Sequence, residues 1–429
     1  MDETIKIDHL TKIEGHGSLV INLRDRRVED VRISVFESSR FFESFLVGRR
    51  YDEVPELTSR ICGFCHIAHS LTALKAIERA LGFEPSEQTV DLRNLLCLAG
   101  TLQSHLLHLY FFVVPDYLGF ESAFSLAKER PDDVRRALAM KKTVNNLIEA
   151  VMGRVLHNVA GVVGGFTSVP ARSELLRLLK QFEKFREDAV ATAKLVGSFS
   201  LPDFEREVKY LALYGDGKFP FYEGDKISDH RGTTFPVEDY MKNIKETVLP
   251  YSTAKRSTFV DGSSLFVGAL ARININGKKL SDGAKEIMSE LELKFPSYNP
   301  FFNNVAQAIE LVHCADEIIS ILEKLADGGV NAEKPSIKVK AGEGVAATEA
   351  PRGTLYHHYI IDGRGRVKFA NLIMPTNQNL INIEDDLREI VPRIVDLPRQ
   401  ELILTAEKLV RAYDPCISCS THFLEVKFV

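Results

Sequence analysis

The sequence predicts an α+β fold in which helix dominates, a long central helix bundle with small β-sheets at its periphery. Three observations carry that prediction. Apolar residues recur at spacings of three and four through most of residues 68–197 and again after residue 300, the period of packed helices. Period-two alternation, the mark of a half-buried strand, is confined to the first residues and to 337–376. The 429 residues are 45% hydrophobic and 26% charged, enough for one large core or two to three smaller ones.

Residues 1–60 read as a β-rich N-terminal part: TIKIDHL, then GSLVINL and VEDVRISVF joined by a charged turn. Residues 61–200 read as a helical core, through HSLTALKAIERALG, LRNLLCLAGTLQSHLLHLYFFVV and VRRALAMKKTVNNLIEAVMGRVLHNVAG. Residues 201–300 are richer in Gly, Pro, Tyr and charge, which predicts irregular loops with short elements over the surface. In residues 301–429, NPFFNNVAQAIELVHCADEIISILEKLA predicts a long helix, and residues 337–376 predict strands with a Gly-Arg-Gly hairpin turn. A last helix, REIVPRIVDLPRQELILTAEKLVRAY, is expected to be interrupted at Pro392 and Pro398. No internal repeat, low-complexity tract or linker divides the chain, so residues 1–429 are expected to form one domain.

Composition excludes several function classes. A net charge of −5 with interspersed signs, and no basic run carrying aromatics, gives no nucleic-acid footprint. MDETIKIDHL lacks the basic and apolar regions of a leader. No uncharged stretch is read as approaching the roughly 18 residues of a membrane span, so the chain is expected to be soluble and cytoplasmic. Six cysteines in so long a chain do not form a secreted disulfide framework. Cys97 and Cys314 lie within apolar helical patterns and are expected to be buried structural thiols.

The other four cysteines carry the chemistry. Cys62 and Cys65 in RICGFCHIAH, and Cys416 and Cys419 in YDPCISCSTH, form two Cys-x-x-Cys pairs, each of which can chelate one soft metal such as zinc, copper, nickel or iron. The pairs stand 354 residues apart, far beyond the spacing of about 15–20 residues in a zinc ribbon, where metal replaces a core. The spacing alone leaves both a closed tetrahedral zinc site and a redox-metal site open. Glu14 sits in KIEGHG, where glycine lets backbone approach a buried site closely. Arg60, two residues before Cys62, and His69, four after Cys65, are placed to orient the ligands or tune the sulfurs.

KIEGHG, RFFESFLVGR, RICGFCHIAH, EAPRG, MPTNQN and DPCISCSTH occur in an order that resembles the large, catalytic subunit of nickel-iron hydrogenases over nearly the whole chain. NPFFNNVAQAIE and RAYDPCISC are most similar to the soluble cytoplasmic branch that couples dihydrogen to nicotinamide or deazaflavin cofactors. The resemblance implies that family's large-subunit fold and reversible cleavage of dihydrogen. It implies that Cys62, Cys65, Cys416 and Cys419 bind nickel, with Cys65 and Cys419 bridging to an iron that carries carbon monoxide and cyanide. Cys416 would accept the proton and Glu14 would be its first relay. Arg352 would hang over the metals, held by Asp116 and Asp414. Thr376 would hydrogen-bond one cyanide, and the backbone around Pro351 and Arg352 another.

Glu43, His422 and the Leu372 carbonyl match the ligands of a magnesium or iron ion beside the centre. Relatives are made with a C-terminal extension cut just after this histidine, so Phe423 to Val429 are expected to be removed by a maturation protease once nickel-insertion factors have acted. With no cysteine left for an iron-sulfur cluster, electrons would leave through an iron-sulfur small subunit, then flavin and further iron-sulfur subunits, to NAD(P). The alternatives are a deazaflavin-reducing or heterodisulfide-linked hydrogenase and, more distantly, a noncatalytic scaffold or a structural zinc protein.

Overall fold

A computed structural model describes residues 2–38 and 40–421. Strands β1 (Asp2–Ile7), β2 (Gly17–Arg24) and β3 (Arg27–Val35) form an antiparallel sheet, as the alternation predicts. Asp25 and Arg26 form the charged turn, both at positive φ (47° and 65°), the geometry of a two-residue hairpin. Leu19, Ile21, Leu23, Val31, Ile33 and Val35 face the core from this sheet.

The helical core follows: α1 (His66–Leu81), α2 (Glu87–Leu107), α3 (Pro131–Met152) and α4 (Arg172–Gly197). Ser86 caps α2 by accepting from the Thr89 N–H at 3.1 Å. Beyond α2 the helix widens into a π-turn over His108–Val113 and continues as Val114–Leu118, which aims His108 and Asp116 inward. The continuous run Glu87–Leu118 is long and apolar enough to cross a membrane, contrary to the sequence expectation, yet most of it is buried inside the protein. The helical pattern predicted to run on through GRVLHNVAG stops at Met152, because Gly153 turns into positive φ and a small hairpin, Gly161–Val162 with Gly165–Phe166, follows.

Residues 201–300 depart from the expected surface loops. Strand β4 (Lys209–Tyr214) is buried over Tyr210–Leu213, and α5 (Ala269–Asn276) places Arg272 and Asn276 fully inside. Leu211, Leu213 and Ile227 form a second, smaller core with Val345, Tyr356 and Ile373. Strands this short leave little periodic signal.

The long α6 (Phe302–Gly328) packs along α4 and α2. Strands β5 (Gly342–Ala350), β6 (Gly353–Ile361) and β7 (Val367–Ile373) form the second antiparallel sheet, with the Gly363-Arg364-Gly365 turn where predicted. β5 lies directly on α1: a Cβ on Gly344 would sit 2.0 Å from the Ala76 carbonyl oxygen, so only glycine permits the approach. That contact fixes the β5–β6 hairpin, with Pro351 and Arg352 at its tip, against the helix that begins just after Cys65.

Helix α7 (Pro375–Ile394) starts inside the segment read as strand, with Pro375 in its first turn, and Pro392 lies within its last turn without ending it. The break falls at Pro398, before α8 (Arg399–Ala412), which delivers the second cysteine pair.

Candidate metal centre

Cys65 immediately precedes α1 and Cys62 lies in the loop before it, while Cys416 immediately precedes, and Cys419 lies within, a single helical turn after α8 (Ile417–Ser420). The four Sγ atoms lie within 4.8 Å of one another and all are buried. Cys62 stands 3.3 Å from Cys416, and Cys65 stands 2.8 Å from Cys419. Burial pushes the Cys65, Cys416 and Cys419 thiols up, while hydrogen bonds from Cys416, Cys419 and Cys65 pull Cys62 well below its ordinary value. Four thiolates at this spacing repel one another, and a bound soft cation is what allows all of them to ionise. The donor set therefore fits nickel and iron. Arg352 Nη1 adds a buried N–H with no partner among the described residues, beside a pocket lined by Cys65, His69, Thr376, Cys416 and Cys419.

Glu14 meets this cluster directly. Its backbone pairs with Cys416, its carbonyl accepting the Ile417 N–H at 2.9 Å, and its Oε2 accepts from the Ser418 N–H at 2.9 Å and the Cys416 thiol at 3.2 Å. Gly15, at φ 85°, makes the approach possible, since a Cβ there would stand 2.6 Å from Ile417 Cβ. Burial, then the Cys62 charge, raises the Glu14 carboxyl above its ordinary range.

Among the described residues, Arg352 is clamped by Asp414. Its Nε donates to the Asp414 carbonyl at 2.6 Å and its Nη2 to Oδ1 at 2.9 Å, while Gln307 donates to Oδ2 at 3.2 Å. Asp414 sits at φ 49°, a left-handed conformation held by these bonds. Asp116, expected to share Arg352, does not touch it. Its carboxylate accepts from Lys12 and from Arg411, both at 2.6 Å, and Arg411 also donates to Thr11. Two cations satisfy the carboxylate, and the network ties the KIEGHG segment to the end of α8. Thr376 Oγ1 accepts the Cys416 N–H at 2.9 Å, and the Pro351 carbonyl accepts Arg272 Nη2 at 3.0 Å.

Arg60 is exposed and paired with Glu56 at 3.1 Å, so it does not lie behind the ligands as expected; the turn from Arg60 to Cys62 carries its side chain outward. His69 does, with Nε2 3.7 Å from Cys419 Sγ. Glu43 accepts the Leu372 N–H at 2.9 Å and shares Lys255 Nζ with Glu246, at 3.0 Å to each. His422 and Phe423–Val429 lie outside the described residues.

Sequence reasoning missed the supports of this site. Arg272, wholly buried, grips Glu310 through two bonds of 2.7 Å and reaches Glu349 and the Ala350 carbonyl, fixing the hairpin tip that carries Arg352. His357 and Tyr359 extend inward contacts from His69, and Glu37 accepts from the His16 N–H at 3.0 Å and Ser418 Oγ at 3.4 Å. The one available signal was polar side chains inside apolar runs, such as Gln307 on α6.

Fold and site together define a protein built around a buried four-cysteine site that suits a soft metal. The family model for nickel-dependent hydrogenase matches residues 40–173 and 203–422. The chain is 34% identical to sulfhydrogenase 1 subunit alpha of Pyrococcus furiosus, over 98% of each chain, and 33% identical to sulfhydrogenase 2 subunit alpha of that organism, over 98% of this chain and all of the relative. The structure of an NAD+-reducing [NiFe]-hydrogenase in its H2-reduced state superimposes with a TM-score of 0.89 at 28% identity, covering 98% of this chain and 99% of that one.

This chain belongs to the nickel-dependent hydrogenase family. It is the large, catalytic subunit of a nickel-iron hydrogenase, an oxidoreductase whose family implies nickel, iron and a small-subunit partner.

Proposed function

We propose that this subunit works in a cytoplasmic complex that oxidises dihydrogen reversibly and passes the electrons through iron-sulfur and flavin-bearing partners to NAD(P). Cys62, Cys65, Cys416 and Cys419 would hold nickel, with Cys62 and Cys416 as its terminal ligands, and Cys65 and Cys419 would also hold an iron that carries carbon monoxide and cyanide. When bound, the two metals supply the Lewis acidity and the electron sink for heterolytic cleavage of dihydrogen.

The single observation that carries the reading is the 3.2 Å contact between Cys416 Sγ and Glu14 Oε2. A sulfur that receives a proton needs a carboxyl close enough to take it, and a buried carboxyl whose proton affinity is raised can both accept and donate near neutral pH. The Ser418 N–H holds Glu14 Oε2 facing the sulfur. Arg352, clamped by Asp414, presents a fixed positive charge at the cluster without side-chain rearrangement. Pro375 and Thr376 open α7 beside Cys416, and the Thr376 hydroxyl keeps its own proton to donate to a cyanide. Glu43 and Glu246 share one ammonium and keep one net negative charge, which suits magnesium with Leu372 and His422 as further ligands.

All six cysteines are accounted for, four in the cluster and Cys97 and Cys314 buried singly, so the electron-carrying clusters belong to partners. Likeness to an NAD+-reducing enzyme supports the nicotinamide acceptor. The test is an acceptor assay on the purified complex under dihydrogen with NAD+, NADP+, a deazaflavin and polysulfide in parallel. Fastest reduction of a nicotinamide supports the reading, and reduction of deazaflavin or polysulfide alone refutes that acceptor.

A further inference from the structure

The carboxylate that clamps Arg352 has neighbours of its own. Gln307, on α6, donates through Nε2 to Asp414 Oδ2 at 3.2 Å, and its Oε1 stands 2.6 Å from His108 Nδ1. The other ring nitrogen of His108, Nε2, stands 2.8 Å from the Arg411 carbonyl oxygen and 3.9 Å from Asp414 Oδ1. His108 opens the π-turn after α2, and both it and Gln307 are buried away from bulk water.

We propose that His108 carries a proton on both ring nitrogens, making it a second buried cation that fixes the Gln307 amide and, through it, the Asp414 carboxylate that holds Arg352. His108 and Gln307 are then positioning residues for the arginine at the metal centre.

The oxygens around the ring dictate this state. A backbone carbonyl only accepts, so Nε2 must bear a hydrogen to meet the Arg411 carbonyl. A neutral ring would then offer a lone pair at Nδ1, and Gln307 would have to turn its NH2 group toward it. The amide oxygen would in turn face Asp414 Oδ2 at 3.2 Å, where a carboxylate ionised against Arg352 also only accepts. Two oxygens in contact with no hydrogen between them repel, and more strongly inside a protein than in water. With both ring nitrogens protonated, each contact has one donor: His108 to the Arg411 carbonyl, His108 to Gln307, and Gln307 to Asp414.

The surrounding charges agree with this count. Asp414 Oδ1 lies within ion-pair reach of the ring. The Arg411 guanidinium turns to Asp116 and Glu407, and His105, one helical turn before His108, is bound to Glu310, which Arg272 also grips. Asp414 is thus the carboxylate that pairs with the imidazolium, and a buried charge paired and hydrogen-bonded in this way is satisfied. Gln307 and Arg352 hold the two oxygens of Asp414 separately, which pins the carboxylate plane and with it the direction of the guanidinium.

The test has two arms. A neutron crystal structure of the complex, produced and crystallised in heavy water, should show deuterium on both Nδ1 and Nε2 of His108 and the ND2 group of Gln307 toward Asp414; one bare ring nitrogen overturns the proposal. His108→Gln keeps a donor and loses the charge. It should retain nickel and iron and lower kcat per bound nickel by roughly 10²-fold with KM for dihydrogen unchanged, the pattern of a group displaced from the reacting atoms. Wild-type kcat in that variant overturns the positioning role, as does a loss confined to KM. Should the variant fail to take up metal, the neutron arm still decides. The kcat arm rests on the reading of Arg352 as the fixed charge at the centre, whereas the proton positions do not, so nickel absent from the wild-type complex refutes that reading alone.

Discussion

Glu14 and Cys416, 402 positions apart in the chain, stand 3.2 Å apart between carboxylate oxygen and sulfur. A backbone bridge holds them in register, so the contact does not depend on side-chain rotamers alone. Glu14→Gln keeps the shape and the Ser418 N–H bond but loses the proton. It should retain nickel and iron and lower turnover by roughly 10²–10⁴-fold, the usual value of one positioned acid-base group. Metal content and dihydrogen oxidation rates, measured together, check this, and full activity would rule out the proton path.

Cys65 closes the loop onto α1 and faces Cys419 at 2.8 Å. Cys65→Ser replaces a soft donor by a hard one that ionises poorly, so the variant should lose both nickel and iron. Elemental analysis of the purified protein is the check, with unchanged metal content the opposing result.

Asp116 binds Lys12 and Arg411 and leaves Arg352 to Asp414. Asp116→Asn removes one of two carboxylates paired with the buried Arg411 guanidinium, which keeps Glu407 at 2.9 Å, and should cost roughly 1.5–3 kcal/mol of stability, the usual range for a hydrogen bond to a charged group. Thermal or denaturant unfolding measures it. Asp414→Asn should act on Arg352 and turnover instead.

Gly344 lets β5 lie on α1. The Cβ of Gly344→Ala would overlap the Ala76 carbonyl at 2.0 Å, which should cost roughly 1–3 kcal/mol as overpacking does. Because the hairpin carries Arg352, activity should fall with the unfolding midpoint.

Cys97 is buried and pushed up to about 12. At pH 8 its thiol stays protonated and enclosed, so alkylation of the folded protein should leave it unmodified, while denaturant should expose it. Peptide mass mapping after iodoacetamide treatment distinguishes the two.

Much of this was legible in the sequence. The strands of the first sheet, α1, α2, α6 and the β5–β7 sheet follow from their apolar patterns, because each is long enough to carry one. Residues 201–300 were misread, because β4 is six residues long and packs against a hairpin over a hundred residues away, a relationship no local window contains. α7 hid behind Pro375, which reads as a strand end but opens a helix. The four cysteines, Glu14, Arg352 and Asp414 came from motif order, whereas the partners of Asp116 and the outward turn of Arg60 belong to tertiary packing. His357 and Tyr359 lay in an ordinary strand pattern, and only their alignment with His69 shows their place.

The central claim is a nickel-iron centre on four thiolates. Elemental analysis with infrared spectroscopy of the complex from its native source tests it most directly. The account predicts one nickel and one iron per chain at this centre, with carbon monoxide and cyanide stretches. Zinc in their place, without those bands in matured protein, would contradict it and return the cluster to a structural metal site.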